Sequence, residues 1–511
     1  MSSRRHGGGA SRPAGPLWPL LSRRRFWRGA LLVALLVLAC LQRQHLGAAI
    51  SAIARRGLMR TQGQQPGTEG TRNVMNFEFL WMAPFLSGGG YGAEATAFVL
   101  PLAGTPELRA VRIALHGDSV NYDYVQGIPP EQMQVLQRLA DPSPAGLPSV
   151  VVCHSEPGAW DPALFQTSRC PPRGYHAALY VIGRTMFETD RVTAHHVQRI
   201  NRMDEVWVPT DFHVTTFAAS GVDPAKIVKM VEPVDVDFFS PQHADGTPRA
   251  ALLLPVGKRI LGPRYEALDR PFVFLSVFKW EARKAWDVLV AAYLTEFTAA
   301  DACVLLLLTN PYHSDRDFDS KVTSLVARLG LTRPAAGWAS VYLGDQHVPQ
   351  TDLPALYLAA DAFVLPSRGE GWGRPHTEAM AMQVPIIATN WSGPTEYLRE
   401  GNSYPLPISR LVPVEGGPFD GHLWAEPSGQ DLARLMRHVY THREEARAKG
   451  RQARRDMLAY APQAVAGQVL ARLRQIEAKL IKAGRLGAGR TRASTLSQAA
   501  DLIDDGAGED L

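Results

Sequence analysis

Two shortages in this 511-residue sequence limit what it can be. It has only four cysteines, Cys40, Cys153, Cys170 and Cys303, which is too few for a disulfide-built scaffold, although Cys153 and Cys170 could pair in an oxidising compartment. Its first 68 residues contain eleven arginines but no lysine and no acidic residue. Without these eleven charges, the net charge of +5 becomes −6 for the remaining chain. An acidic body argues against nucleic acid as a partner, because a binder carries its basic excess on the folded domain.

Long apolar runs are also missing. The best membrane candidate, residues 29–41, has thirteen apolar residues after an arginine-rich flank, whereas a spanning helix needs about 20. Trp27 and Arg28 can lengthen the usable span, and the positive flank would keep residues 1–28 cytosolic. We therefore expect an uncleaved signal anchor, a stem at 42–72, and a single-pass type II protein in the Golgi or endoplasmic reticulum lumen. A cleaved signal peptide, a cleaved organellar transit peptide and a bacterial lipoprotein box at residues 38–40 are the alternatives.

From Val74 onward, short apolar runs alternate with turn residues and helical patterns. Such an alternation indicates parallel sheets that are covered by helices on both faces. It restarts after a stretch rich in proline and glycine. The sequence therefore predicts an α/β protein with an anchor and two Rossmann-like domains, at 73–240 and 272–450, joined by a linker at 241–271. Residues 451–483 are expected to form C-terminal helices and 484–511 a disordered tail.

The most informative segment is 366–388, in which an apolar run is followed by a glycine-rich loop and then by a helical pattern with proline in its first turn. Gly371 and Gly373 remove side chains where the backbone must approach a ligand. The helix N-terminus suits a diphosphate at the carboxyl edge of a parallel sheet. Glu370 on the loop and Glu378 on the helix are separated by seven residues, so they can contact two parts of one elongated ligand.

This segment resembles the E-x7-E signature of family-4-like GT-B glycosyltransferases (glycosyl transferases group 1), and Pro385 and Gly393–Glu396 extend the likeness. The resemblance implies two domains that face each other across a cleft. It further implies that Glu370 contacts the donor sugar and that Glu378 binds the nucleotide ribose. The donor site would also include Gly371, Trp372 and Gly373.

Two lysines match positions that carry cations in this family. Lys279 lies at the end of the first apolar run of the second domain, where the family more often has arginine, and Lys284 follows five residues later. The resemblance implies that both act in catalysis by neutralising the diphosphate leaving group. Arg283 competes for the same role, and a solvated charge cluster is the structural alternative.

Three segments of the first domain resemble the acceptor half of the family. Gly89 and Gly90 belong to a glycine loop that would approach the donor phosphate or the acceptor. His154 follows an apolar run, at the place of a family histidine near the transferred sugar, and is our fourth catalytic candidate. Arg184 and Glu188 are the acceptor-side candidates. Each of these segments also has a purely structural interpretation.

The resemblance implies a retaining hexosyltransferase that takes its sugar from a nucleoside diphosphate donor and passes it to a glycan, lipid or protein. No metal and no separate cofactor are expected, since no aspartate pair follows a convincing strand; Asp504 and Asp505 lie in the tail. A glycosidase using Glu370 and Glu378 as acid and nucleophile leaves the glycines and lysines unexplained. The alternative that is not an enzyme is a membrane-tethered pseudoenzyme, which binds a sugar nucleotide or glycan without turnover.

Overall fold

The computed structural model describes residues 74–140, 149–172, 178–254, 257–311, 316–345 and 348–487. The expected N-terminal segments at 1–28, 29–41 and 42–72 lie outside these residues, as does 488–511 of the expected tail. Within the described ranges, no helix is both long enough and apolar enough to cross a membrane.

The N-terminal half is a six-stranded parallel sheet with the strand order β2-β1-β3-β4-β5-β6. Its strands are β1 (Met75–Ala83), β2 (Leu108–Leu115), β3 (Ser149–His154), β4 (Ala178–Arg184), β5 (Glu205–Val208) and β6 (Ile227–Lys229). The helices that alternate with them are α1 (Gly90–Leu102), α2 (Tyr122–Gln126), α3 (Pro130–Leu139), α4 (Ala194–Ile200) and α5 (Asp211–Ala219). Every residue of β3 is buried, as expected for a central strand of a parallel sheet that is covered on both faces.

The C-terminal half contains a seven-stranded sheet with the order β13-β12-β11-β8-β9-β10-β7. Its strands are β7 (Lys258–Leu261), β8 (Phe272–Trp280), β9 (Cys303–Pro311), β10 (Ser340–Gly344), β11 (Ala362–Leu365), β12 (Ile386–Thr389) and β13 (Tyr404–Leu406). Between them lie α6 (Trp286–Glu296), α7 (Phe318–Arg328), α8 (Leu353–Leu358) and α9 (Arg374–Ala381). The pairing is parallel except at β7, an antiparallel edge strand supplied by the segment expected to be a linker.

A hairpin and three helices complete the described chain. The hairpin is β14 (Ile408–Pro413) and β15 (Leu423–Pro427), and the helices are α10 (Gly429–Thr441), α11 (Arg443–Met457) and α12 (Pro462–Lys482). Helix α12 returns to the N-terminal half, where Arg472 lies 2.5 Å from Glu205. It buries one apolar stripe, formed by Val465, Val469, Leu473, Ile476 and Leu480. The helix thereby ties the end of the chain to the first sheet.

Candidate functional site

A cleft of about 560 Å³ lies where the loops that follow the strands of both sheets meet. Residues just after β1, β3 and β4 line one wall, and residues at the ends of β8 and β11 line the other. Ligands of parallel α/β sheets bind at this carboxyl edge. A larger groove of about 960 Å³, between α6, α7 and α10, contains none of the residues that the sequence singled out. The smaller cleft is therefore the candidate site.

The cleft brings together most of the sequence-predicted residues. Those that line it are Gly89, Gly90, Glu188, Lys279, Lys284, Glu370, Gly371, Trp372, Gly373 and Glu378. Arg283, the predicted competitor of the lysines, also lines it. His154 and Arg184 do not.

Glu370 is the centre of the cleft's charge network. One carboxylate oxygen, Oε1, accepts hydrogen bonds from Lys284 Nζ at 2.6 Å and Ser367 Oγ at 2.5 Å. The other, Oε2, accepts from Arg283 Nη1 at 2.9 Å. Arg283 and Lys284 lie in one tight turn after β8, and Ala285 ends that turn with a positive φ of 48°. The turn directs two adjacent cations toward the loop that carries Glu370.

The ionisation of this network follows from its burial and its pairing. Glu370 is 6% exposed and Lys284 is 8% exposed. Burial alone would raise the pKa of Glu370, but Lys284 and Arg283 outweigh it and hold this pKa well below its usual range. Burial and the neighbouring Arg283 lower the pKa of Lys284, although Glu370 opposes them. The carboxylate is therefore ionised and serves as the counter-ion of both cations.

Arg283 has more partners than sequence reasoning assigned to it. Besides Glu370, it donates to the carbonyl oxygen of Gly369 at 2.8 Å and to Glu281 at 2.7 Å. Its Nη1 also lies 3.8 Å from Glu188 Oε1, on the opposite wall. Arg283 therefore links the two walls of the cleft. In the sequence, the position of Arg283 beside Lys284 was the signal that it belongs to the site.

Glu378 lies on α9, and its carboxylate accepts a hydrogen bond from Tyr357 Oη at 2.8 Å. Burial raises its pKa. Arg374, four residues earlier, lies 3.9 Å from Glu378 and 2.6 Å from Glu232, which follows β6. Sequence reasoning missed Arg374 and Glu232. Their pairing joins residues 142 positions apart, and no local pattern indicates it.

The glycines of the loop after β11 allow the two halves of the protein to approach each other. A Cβ atom on Gly369 would lie 2.0 Å from the carbonyl oxygen of Glu188, and one on Gly371 would lie 2.3 Å from Met186 Sδ. Gly373 has a φ of +98° just before α9, a conformation that other residues rarely adopt. At Gly371, the close approach is therefore to the other half of the protein itself, in addition to any ligand.

His154, the fourth catalytic candidate, is buried and does not line the cleft. Its ring is 0% exposed. Its Nδ1 accepts from Trp81 Nε1 at 3.0 Å, and its Nε2 donates to Glu94 at 2.9 Å. Burial lowers the pKa of His154 despite the carboxylate beside it. Both ring nitrogens are thus paired inside the N-terminal half.

Arg184, expected on the acceptor side, is also buried and does not line the cleft. Its guanidinium pairs with Glu94 through two nitrogens and donates to the carbonyl oxygen of Met230 at 2.5 Å. Although burial opposes ionisation, Arg184 and His154 hold the pKa of Glu94 below its usual range. A buried charge needs such pairing, so Arg184 contributes to the N-terminal core.

Among the described residues, no cluster of three or more His, Cys, Asp or Glu side chains is arranged to hold a metal ion. The positive charges that face the cleft are the side chains of Lys279, Arg283, Lys284 and Arg374. Their chemistry suits a phosphate group, since arginine and lysine bind phosphate oxygens through charge-assisted hydrogen bonds.

Comparison with known proteins connects this site to a family. Residues 345–456, which include the Glu370–Glu378 loop and helix, match the family model described as Glycosyl transferases group 1. This confirms the family resemblance drawn from the sequence.

Two curated relatives also match part of the chain. A D-inositol 3-phosphate glycosyltransferase of Salinispora arenicola is 30% identical over 222 residues, which are 42% of this chain and 42% of that protein. The O-antigen chain mannosyltransferase B of Escherichia coli is 52% identical over 54 residues, 11% of this chain and 13% of that protein. The chain thus spans less than half the length of these curated relatives.

A solved structure covers more of the chain. Anabaena HepE, determined with UDP and glucose, aligns with 78% of this chain and 100% of its own, with a TM-score of 0.53 and 12% identity. At this identity the likeness concerns the fold alone. It confirms the α/β class with parallel sheets that was expected from the alternating apolar runs.

The expected location, a single-pass type II protein in the Golgi or endoplasmic reticulum lumen, is wrong. The curated relatives come from bacteria such as Salinispora arenicola and Escherichia coli, which have neither compartment.

Proposed function

We propose that this chain, whose residues 345–456 belong to the group 1 glycosyl transferases, is a retaining glycosyltransferase. It would move a hexose-type sugar from a nucleoside diphosphate donor to a hydroxyl-bearing acceptor. The observation that carries the proposal is the network in which Glu370 holds Arg283 and Lys284 side by side at the floor of the cleft. The N-terminus of α9 lies next to this network, so one diphosphate could contact both.

The two cations would act on the leaving group. As the bond between the sugar and the phosphate breaks, negative charge grows on the phosphate oxygens. Arg283 and Lys284 stabilise that charge most strongly in the transition state, because the turn after β8 already holds them in place. Lys279, at the end of β8 in the same wall, adds a third cation.

Glu370 and Glu378 would orient the donor. Glu370 positions the two cations and presents its remaining surface to the sugar. Glu378, steadied by Tyr357, would accept hydrogen bonds from the ribose hydroxyls. Glu188, on the opposite wall, would face the acceptor. His154 has no part in this proposal, since its side chain is wholly buried.

Retention and independence from metals belong to the same proposal. The carboxylates nearest these cations are already paired: Glu370 is held by Lys284, Ser367 and Arg283, and Glu281 is held by Arg283. A displacement from the face of the departing phosphate, with that phosphate taking the acceptor proton, therefore suits the site better than a covalent intermediate. Protein cations supply the charge that a metal would otherwise contribute.

The test begins with the donor. Thermal unfolding of the full chain is measured against UDP-, GDP- and ADP-sugars, with UDP-glucose included, since a ligand of the native state raises the unfolding temperature. The stabilising donor is then incubated with candidate acceptors, with and without a chelator. NMR of the product's anomeric proton should show the donor's configuration, and the chelator should not slow turnover. Inverted product or chelator-sensitive turnover would contradict the corresponding part of the proposal.

A further inference from the structure

The two walls of the cleft differ in the charged residues that they carry. The C-terminal wall contributes four cations, Lys279, Arg283, Lys284 and Arg374, together with three acids, Glu281, Glu370 and Glu378. The N-terminal wall contributes the acids Asp118, Glu156 and Glu188, and also Glu232, which pairs with Arg374. None of the described residues that this second wall places in the cleft, from Pro84 to Glu188, is lysine, arginine or histidine. The donor side is therefore built for an anion and the acceptor side is not.

The acids of the N-terminal wall are available to a ligand to different degrees. Asp118 is exposed, and its side chain has no hydrogen-bond partner within the ranges that the structure describes. Glu188 Oε1 lies 3.8 Å from Arg283 Nη1, and the same guanidinium also pairs with Glu281 and Glu370. A diphosphate that binds Arg283 would leave the Glu188 carboxylate without this contact. Glu156 is half-buried and pairs with His196 at 2.9 Å. Carboxylates of this kind accept hydrogen bonds from hydroxyl groups and repel a phosphate.

An aromatic side chain lies beside these acids. Phe165 lines the cleft and is 45% exposed, and Leu164 next to it is 55% exposed. Hydrogen bonds attach the loop that carries Phe165 to the segment after β2. Thr167 Oγ1 accepts from Gly117 N at 3.0 Å, and the Ser168 carbonyl oxygen lies 2.7 Å from His116 Nδ1. A rigid exposed apolar surface at the edge of a pocket indicates a ligand contact. The C–H face of a pyranose ring fits such a surface, while its hydroxyls reach the acids.

We infer that the acceptor is an uncharged saccharide rather than a phosphorylated or otherwise anionic molecule. The inference rests on the proposed function and names its acceptor class. A hydroxyl oxygen of this saccharide forms the new bond to the anomeric carbon of the donor sugar. The bond from that carbon to the phosphate oxygen breaks, and the nucleoside diphosphate leaves with the electron pair. The hydroxyl proton passes to the departing phosphate.

The test uses matched acceptor pairs. With the donor found by thermal stabilisation, release of nucleoside diphosphate is measured with glucose, mannose and galactose, and with the 6-phosphate of each. Neutral disaccharides and micellar diacylglycerol complete the panel. The neutral sugars should raise the rate of nucleoside diphosphate release above the basal rate of donor hydrolysis. The kcat/KM for each neutral sugar should exceed that for its 6-phosphate by about tenfold or more.

Charge reversal tests the wall itself. Asp118→Lys should reduce the preference for the neutral member of each pair by about fivefold, because a cation then faces the acceptor. Asp123→Lys is the matched control: Asp123 is exposed on the same segment but does not line the cleft, so the preference should not change.

Several outcomes would overturn the inference. These are equal or better use of the phosphates, no acceleration by any neutral saccharide, acceleration by diacylglycerol alone, or an unchanged preference in Asp118→Lys. If a donor is bound and turned over while one of these results is obtained, only the acceptor class is wrong. If no sugar nucleotide stabilises the protein or is hydrolysed, the proposed function itself fails.

Discussion

Lys284 Nζ lies 2.6 Å from Glu370 Oε1, and both side chains are buried. The lysine belongs to the turn after β8 and the glutamate to the loop after β11, 86 residues further along the chain. Because these neighbouring strands are parallel, the segments that follow them meet at one edge of the sheet. The donor wall is thus charge-balanced before a donor binds, and a diphosphate would share its cations with Glu370.

Replacing Lys284 by alanine should lower kcat by about 100-fold, with a smaller effect on KM, because leaving-group charge grows toward the transition state. Steady-state kinetics with the stabilising donor measures this effect. The control is Lys258→Ala, since Lys258 is an exposed lysine that pairs with Asp319 outside the cleft, and its kinetics should match the wild type. A Lys284→Ala enzyme with normal kcat and only a raised KM would remove this lysine from the chemistry.

Replacing Glu378 by alanine should weaken nucleotide binding by about 1–3 kcal/mol, because the ribose hydroxyls lose a buried acceptor. Calorimetric titration with the nucleoside diphosphate measures the loss. Tyr357→Phe removes only the hydroxyl that holds Glu378, so it should give a smaller loss in the same direction. Unchanged affinity in Glu378→Ala would show that the ribose binds elsewhere.

Replacing Gly369 by alanine should lower turnover by separating the two walls, because the added Cβ would lie 2.0 Å from the backbone oxygen of Glu188. Backbone cannot move aside as a flexible side chain does, so we expect kcat/KM to fall by about tenfold or more. Gly401→Ala is the control, since a Cβ there meets nothing within 4 Å. Wild-type kinetics in Gly369→Ala would mean that the halves need not approach this closely.

Replacing Glu94 by glutamine should destabilise the N-terminal half by about 3–5 kcal/mol, because Arg184 is left as a buried charge without its partner. Urea unfolding, followed by fluorescence of the tryptophans near this core, measures the change. Glu444→Gln removes an exposed carboxylate and should change stability by about 0.5 kcal/mol or less. Equal stabilities for the two variants would contradict the structural role assigned to the buried network.

The sequence alone determined the features that depend on neighbouring residues. Continuous apolar runs indicated parallel sheets, because a strand covered on both faces has no polar side. The loop from Glu370 to Glu378 was recognisable because its glycines, its helix start and its two acids lie within a few residues of one another. Lys279 and Lys284 were identified by their match to positions that carry cations in the family. By contrast, the short apolar run at 29–41 led to the wrong compartment, since several kinds of leader share its length and flanks.

Only the tertiary structure decided which side chains meet across long distances in the chain. Glu94 and Arg184 are 90 residues apart, and their pairing holds Arg184 in the core of the N-terminal half. His154, which donates to the same carboxylate, is buried there as well. Arg374 meets Glu232, and Gly369 meets Glu188, because the two sheets face each other with their carboxyl edges. Residue type and local pattern specify what a side chain can do. Whether it reaches a ligand depends on burial and on its partners, and these are set by how the elements pack.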